Sequence, residues 1–167
     1  MANIEKNFEW DAEAYFRDLI NRNKLAQEKG YKFATVSGLE GLEEYIETVK
    51  TTTCAVCLSE ESPGVVTLNN TPNTNRVKTV FLMKRHKLND MKARKACLSE
   101  MRELFRQMMS MVFKQRTQIE QGLIYFDERV QFKEIERYFA AGAACAFFQI
   151  AYNVYTDLRY NPDEWLS

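Results

Sequence analysis

The most sustained alternation of apolar and polar positions lies in "AACAFFQIAYNVYTDL", residues 143–158. Every second residue puts Ala146, Phe148, Ile150, Tyr152, Val154, Thr156 and Leu158 on one face, and Cys145, Phe147, Gln149, Ala151, Asn153, Tyr155 and Asp157 on the other. A helical reading also exists, with Phe147, Phe148, Ala151, Tyr152 and Tyr155 along one side. Aromatic and β-branched content after Gly142 favours the strand. About thirteen residues at roughly 3.3 Å each would span about 43 Å, where five or six residues are usual. A strand of that length is expected to project beyond its own domain.

The rest of the chain switches period several times. Between Asp11 and Lys29 the residues Ala12, Tyr15, Phe16, Leu19 and Ile20 form one helical stripe, with Gly30 as the stop. Ser37 and Glu40 have capping-box spacing ahead of Leu39, Leu42, Ile46 and Val49, which predicts a short second helix. Three β-rich runs follow, "TTCAVCLS" (52–59), "VVTLN" (65–69) and "RVKTVFLMKRH" (76–86). The turn-forming "EESPG" (60–64) and "NTPNTN" (70–75) between them predict a three-stranded antiparallel meander. In the last run Val77, Thr79, Phe81 and Met83 oppose a face with Lys78 and Lys84. Asn89 or Asp90 caps a long helix in which Met91, Leu98, Met101, Phe105, Met108 and Val112 share a stripe, ending by Gly122. "LIYFDERVQFKEIERYF" (123–139) reads either as short, irregular strands or as one strand and a turn. This order predicts an α+β fold, a mainly antiparallel sheet with helices packed on one face. Residues 1–158 make one domain, helical in 1–50 with the sheet and long helix in 51–158, and 159–167 form a tail or arm.

Composition narrows the function classes. The 167 residues are 46% hydrophobic, enough for one domain with a core of its own. Lys and Arg number 23 and Asp and Glu number 23, so no overall field draws in nucleic acid or an anionic membrane. No stretch reads as a signal peptide or a membrane span, so a soluble protein kept in the cytoplasm is expected, with no membrane partner. In such a compartment Cys54, Cys57, Cys97 and Cys145 are expected as reduced thiols.

No catalytic set is evident. The single histidine, His86, lies in the basic "KRHK" and lacks the surroundings of a general base. Ser37 and Ser99 sit outside any glycine-rich elbow, and phosphate-loop, dinucleotide and zincin patterns are missing. "CAVC" (54–57) is half a zinc site without a second half, and strand spacing turns Cys54 and Cys57 to opposite faces. We therefore expect no enzyme, no metal and no cofactor. "KRHKLNDMKARK" (84–95) holds Lys84, Arg85, Lys87, Lys92, Arg94 and Lys95 against Asp90. Lys84, Arg85 and Lys87 are the candidates for facing DNA, but without interleaved aromatics any contact would be weak and sequence-independent. The ending "TDLRYNPDEWLS" carries Trp165 and Leu166 after Pro162, and these residues either fold back on the core or dock on a neighbour.

The succession of a helical start, a strand set closing on "RVKTVFLMKR", the helix "DMKARKACLSEMRELFRQMMSMV", "EIERYF" and a long final strand "ACAFFQIAYNVYT" resembles the tail-terminator family of tailed bacteriophages with its neck and tail-completion relatives. The likeness spans about residues 36–158 and is one of element order, without a diagnostic motif. It implies a structural virion protein, a tail terminator or head–tail connector ring subunit, assembled in the host bacterial cytoplasm. Its implied partners are copies of itself in a cyclic ring, other neck, tail or portal-proximal proteins, and DNA passing through the channel without sequence-specific binding. Phe147, Tyr155, Tyr160, Trp165 and Leu166 are the candidate interface residues. The competing readings are a nucleic-acid-binding accessory protein using 84–95 and an unusual enzyme using Cys54 and Cys57.

Overall fold

The computed structural model describes residues 9–48, 54–121, 124–135 and 142–166. The described residues form an α+β protein with a mainly antiparallel, open sheet. At its centre lie two strands of 13 residues each, β4 (Asn73–Arg85) and β7 (Ala143–Tyr155). They pair along their whole length, from Asn73 opposite Tyr155 to Arg85 opposite Ala143. The long ribbon is therefore a strand, but it does not project alone. A lone strand would leave a row of unpaired N–H and C=O groups, and β4 supplies the partners for that row. β4 starts earlier than its sequence pattern suggests. Asn73, Thr74 and Asn75 are turn-forming types that here join the ladder, aided by Asn75 Nδ2 donating to Asn153 Oδ1 at 3.1 Å.

Interrupted strands flank this pair. β2 (Cys54–Ser59) lies along Val80–Lys84 of β4, and β3 (Gly64–Thr67) lies along Asn73–Arg76 on the same edge. The expected meander is thus corrected to one broken strand beside a continuous one. Pro63 lacks the N–H a ladder needs, so pairing lapses at 60–63 while the chain keeps its direction. The Val77 N–H bonded to Pro63 O at 3.0 Å holds the bend in line. The region left open by the sequence resolves in the same way. β5 (Ile124–Phe126) and β6 (Gln131–Glu134) lie end to end on the outer edge of β7. An unforeseen strand, β1 (Lys32–Val36), adds the one parallel pairing, to β2.

α1 (Ala12–Arg22) and α2 (Lys24–Lys29) divide the expected single helix at Asn23. The Asn23 side chain accepts from the Ala26 N–H at 2.8 Å and so starts a new helix, as asparagine does at caps. Gly30 ends α2 at φ 78°, in the left-handed region. α4 (Met91–Glu120) runs 30 residues from an Asp90 cap. Its buried stripe is Cys97, Leu98, Met101, Leu104, Met108 and Val112, whereas Met91 is exposed.

α1, α2 and α4 cover one face of the sheet, burying Phe16, Ile20, Val80, Leu82, Phe148, Ile150 and Tyr152. α3 (Gly38–Thr48) departs from the one-face expectation. Its Leu42 and Ile46 pack on the other face, against Ala55, Cys57, Phe81, Met83 and Cys145. Val36 and half-buried Phe147 join this smaller core. Lys78 and Lys84, on the face opposite Val77, Thr79, Phe81 and Met83, lie under the helical layer, because alternate residues Val80 and Leu82 bury that face. Lys78 Nζ reaches Glu9 at 2.7 Å and Lys84 Nζ reaches Glu100 at 2.8 Å. Val49, Gly122 and the 136–139 part of "EIERYF" lie outside the described residues.

The start of α3 is capped from elsewhere in the chain. Instead of closing a box with Glu40, the Ser37 hydroxyl donates to Glu61, which also accepts from Ser59 Oγ at 2.6 Å. The Ser37 and Ser59 hydroxyls, with the Glu61 and Gly38 N–H groups, hold the Glu61 carboxyl down at about 2. Unfolding releases it to an ordinary value, so the unfolded chain binds the proton first and this contribution to stability fades between about pH 4.5 and 2. We expect Glu61→Gln to lower the urea midpoint at pH 7 and to lose less stability than the parent on going to pH 3. Parallel pH profiles for the two proteins would refute the cap.

Candidate assembly surface

The end of the sheet away from α3 collects exposed apolar residues from distant parts of the sequence. Beyond Tyr155 the chain stays tied to the β3–β4 turn. The Thr156 N–H donates to Pro72 O at 3.1 Å, and the Thr156 and Thr74 hydroxyls meet at 2.5 Å. The following tail has local order of its own. Arg159 pairs with Asp157 at 2.8 Å. Asn161 Oδ1 accepts from the Asp163 N–H at 3.1 Å, at the start of a 3₁₀ turn over Pro162–Glu164. Proline in the first turn is suited to that start by its fixed φ. The Tyr160 and Trp165 rings stack with centroids 6.5 Å apart and planes at 24°.

None of this buries the tail on its own domain. Tyr160 is 75% exposed, Trp165 68% and Leu166 fully exposed. Of the two outcomes left open by the sequence, the fold-back is not what the chain adopts. Around the tail's root lie exposed Val65, Val66 and Leu68 of β3 and its turn, together with Tyr155 and Tyr125. Val65, Tyr125 and Tyr155 share the face not covered by α1, α2 and α4, because directly opposed residues in antiparallel pairs point the same way. Between them that face is polar, with Asn75, Asn153 and Asp127 linked in a row and Gln149 Nε2 donating to Thr79 Oγ1 at 3.2 Å. Four of the five expected interface residues are thus on the surface. Phe147 differs, being half-buried 5.9 Å from Phe81 in the core beneath α3.

Half of the basic segment's six cations are engaged within the fold, and Lys87, Lys92 and Lys95 are exposed. Lys84 pairs with Glu100, the Arg85 guanidinium donates to Ile46 O, and Arg94 Nη2 donates to Ile135 O at 2.7 Å. Of the three candidate DNA-facing residues, Lys87 is the exposed one. His86 Nδ1 sits 3.0 Å from Lys87 O, within its own turn.

The cysteines are buried. Cys54 packs under the helical layer and Cys57 against the α3 side, on opposite faces as their spacing demands. Burial pushes the Cys57 thiol up to about 12 and raises Cys97 and Cys145 as well. A group titrating near 12 is ionised to about one part in ten thousand at pH 8, and the thiolate is the reactive form. Native protein should therefore release almost no thionitrobenzoate from Ellman's reagent, and guanidinium-unfolded protein should release four equivalents, one per cysteine. A fast native equivalent would show a thiol within reach of solvent. Among the described residues no group of three or more His, Cys, Asp or Glu is placed to hold a metal ion, and no helix is long and apolar enough to cross a membrane.

Compared with models of known protein families and with curated proteins, the chain matches none.

Proposed function

We propose that this protein is a non-enzymatic structural subunit of a closed ring in the neck or tail of a tailed bacteriophage, a tail terminator or head–tail connector around the DNA channel. One observation carries the ring: the C-terminal tail holds Tyr160, Trp165 and Leu166 in water beyond a sheet whose central strands are already fully paired. Exposing so much aromatic and aliphatic surface has no benefit to an isolated subunit, and a neighbour that covers it converts the exposure into association. An arm from one copy meeting a different surface on the next is a heterologous contact, and such contacts close into rings when the rotation permits. The virion assignment rests on the order of elements, with assembly in the host cytoplasm.

The other partners follow. Neighbouring neck, tail or portal-proximal proteins stack on the ring. DNA passes through it without sequence recognition, consistent with a net charge of zero and with Lys84 and Arg85 engaged inside the fold. No membrane takes part. Light scattering coupled to size exclusion, followed by electron microscopy of assembled particles, tests the reading. A closed ring of this subunit around an axial channel is expected. A single isolated copy in the mature assembly would end the proposal.

A further inference from the structure

We infer that the lysine-rich turn at the start of α4 in one copy seats in an acidic, apolar groove at the far half of α4 in the next copy, an inference that rests on the ring reading. The groove lies between α4 and the β5 edge, a volume of about 300 Å³ lined by Val112, Phe113 and Val130 together with Arg116, Asp127 and Glu128. Phe113 stands 81% exposed there. The charges of the lining do not cancel. Arg116 is taken by Glu120 at 2.8 Å and by Phe126 O at 3.3 Å, whereas Asp127 accepts from the neutral Asn153 amide at 3.1 Å and Glu128 is exposed. Exposed Arg129 is not part of the lining. Two carboxylates thus remain for an occupant, and the occupant they favour is apolar at its tip and basic around it.

That description fits the other end of the same helix. Leu88 is 63% exposed and Met91 50%, and exposed Lys87, Lys92 and Lys95 flank them in sequence. The acid of this segment, Asp90, is committed to the helix cap through the Ala93 N–H at 2.9 Å. The Asp90 N–H donates to Lys87 O at 3.1 Å and Asn89 takes φ 65°, so Leu88 is held on a tight turn before anything binds it. Less freedom is then lost on docking.

This knob cannot reach its own groove. Met91 and Phe113 belong to one 30-residue helix, and at about 1.5 Å of rise per residue about 33 Å separates them. A continuous helix does not fold back on itself, so the occupant is a second copy and the contact is head-to-tail, as a ring requires. The sheet has the same polarity. The groove, with Phe126 and Ile150, is toward the Tyr155 end of the β4–β7 pair, and Lys87 follows the Arg85 end. The tail leaves from the groove's end, so tail and groove face the same neighbour. Leu88, Met91 and Phe113 supply the affinity, while the charges select partner and register, since exposed ion pairs alone contribute little.

The test exchanges charges in the full chain and follows association by sedimentation velocity, with the melting temperature as the folding control. Lys92→Glu with Lys95→Glu makes the knob acidic, and Asp127→Lys with Glu128→Lys makes the groove basic. Each altered protein alone is expected to self-associate at least tenfold more weakly than the parent. An equimolar mixture of the two is expected to recover parental association, because each then offers a knob whose charge fits the other's groove. Leu88→Asp is expected to weaken association at least tenfold as well. A mixture no better than its components, association indifferent to these changes, or a parent that stays monomeric at its highest soluble concentration overturns the inference. Rings that still close in both charge-reversed proteins remove this contact and leave the ring reading in place. Association that obeys the charge exchange but ends in open chains keeps the docking and removes the ring.

Discussion

Truncation after Arg159 is expected to leave the subunit's thermal transition within about a degree of the parent while abolishing or strongly weakening assembly. The fold has no stake in the deleted residues, since Tyr160, Trp165 and Leu166 touch water far more than they touch the domain. Their value lies in association. A Trp side chain of about 200 Å² buried at roughly 25 cal/mol per Å² gives up to about 5 kcal/mol before ordering costs. Loss of a central aromatic anchor commonly costs 2 kcal/mol or more, or roughly thirtyfold in affinity at each contact. In a closed ring every contact loses the same anchor, so the effect on closure multiplies. Differential scanning fluorimetry and sedimentation velocity on the same truncated protein read the two quantities. A lowered melting temperature with unchanged assembly would show the tail to be part of the domain.

The largest effect on stability is expected from Phe148→Ala. Phe148 is fully buried in mid-sheet beneath the helical layer, 5.8 Å from the Phe16 ring and 5.2 Å from Phe105, which in turn stacks on Phe132 at 4.6 Å. Removing the ring empties the junction where α1, α4 and β6 meet over β7. Phe-to-Ala changes in cores cost about 3–5 kcal/mol, which in a domain of this size lowers the melting temperature by roughly 6–20 °C. The neighbouring Phe147→Ala is the control. Phe147 points to the opposite face, half-buried against Phe81, and less than half the loss is expected there. Equal losses at the two positions would mean that the layers are wrongly assigned.

Those two adjacent residues illustrate how much was legible in advance. Alternation along 143–158 separates Phe148, Ile150, Tyr152 and Val154 from Phe147, Gln149 and Asn153, and the former set is the buried one. The heptad-like recurrence of Leu98, Met101, Met108 and Val112 marks the buried side of α4, and the Cys54–Cys57 spacing places those thiols on opposite faces. Each of these is a local property, set by the two- and 3.6-residue periods of the backbone and by the need to bury apolar area. The assembly surface was legible only in part. Trp165 and Leu166 stood out as apolar residues with no neighbouring core, but the company of Val65 and Tyr125 beside Tyr155 did not, because β3, β5 and β7 bring those residues to one face only through their pairing.

Partner choice was invisible for a related reason. β4 and β7 meet through residues as far apart as Thr74 and Thr156, 82 positions along the chain, and no local pattern encodes such a pairing. "EESPG" and "NTPNTN" look alike as turns, yet the first only bends a strand that β4 keeps in line, while the second surrenders Asn73–Asn75 to a ladder with β7. Ser37 had a helix-capping partner at Glu40 by spacing, and Glu61 took its place because the β2–β3 bend brings a carboxylate to that helix end. Lys84 was a candidate for facing DNA until α4 set Glu100 beside it. By itself the sequence determined the long helix, the long strands and which side of each is apolar, though not β1 or the break at Asn23, since strong periodicity follows from bond geometry and the aversion of apolar groups to water. Only the tertiary structure decided which strands pair, which charges find partners and that the tail stays outside, because those outcomes compare alternatives that become neighbours only once the chain has folded.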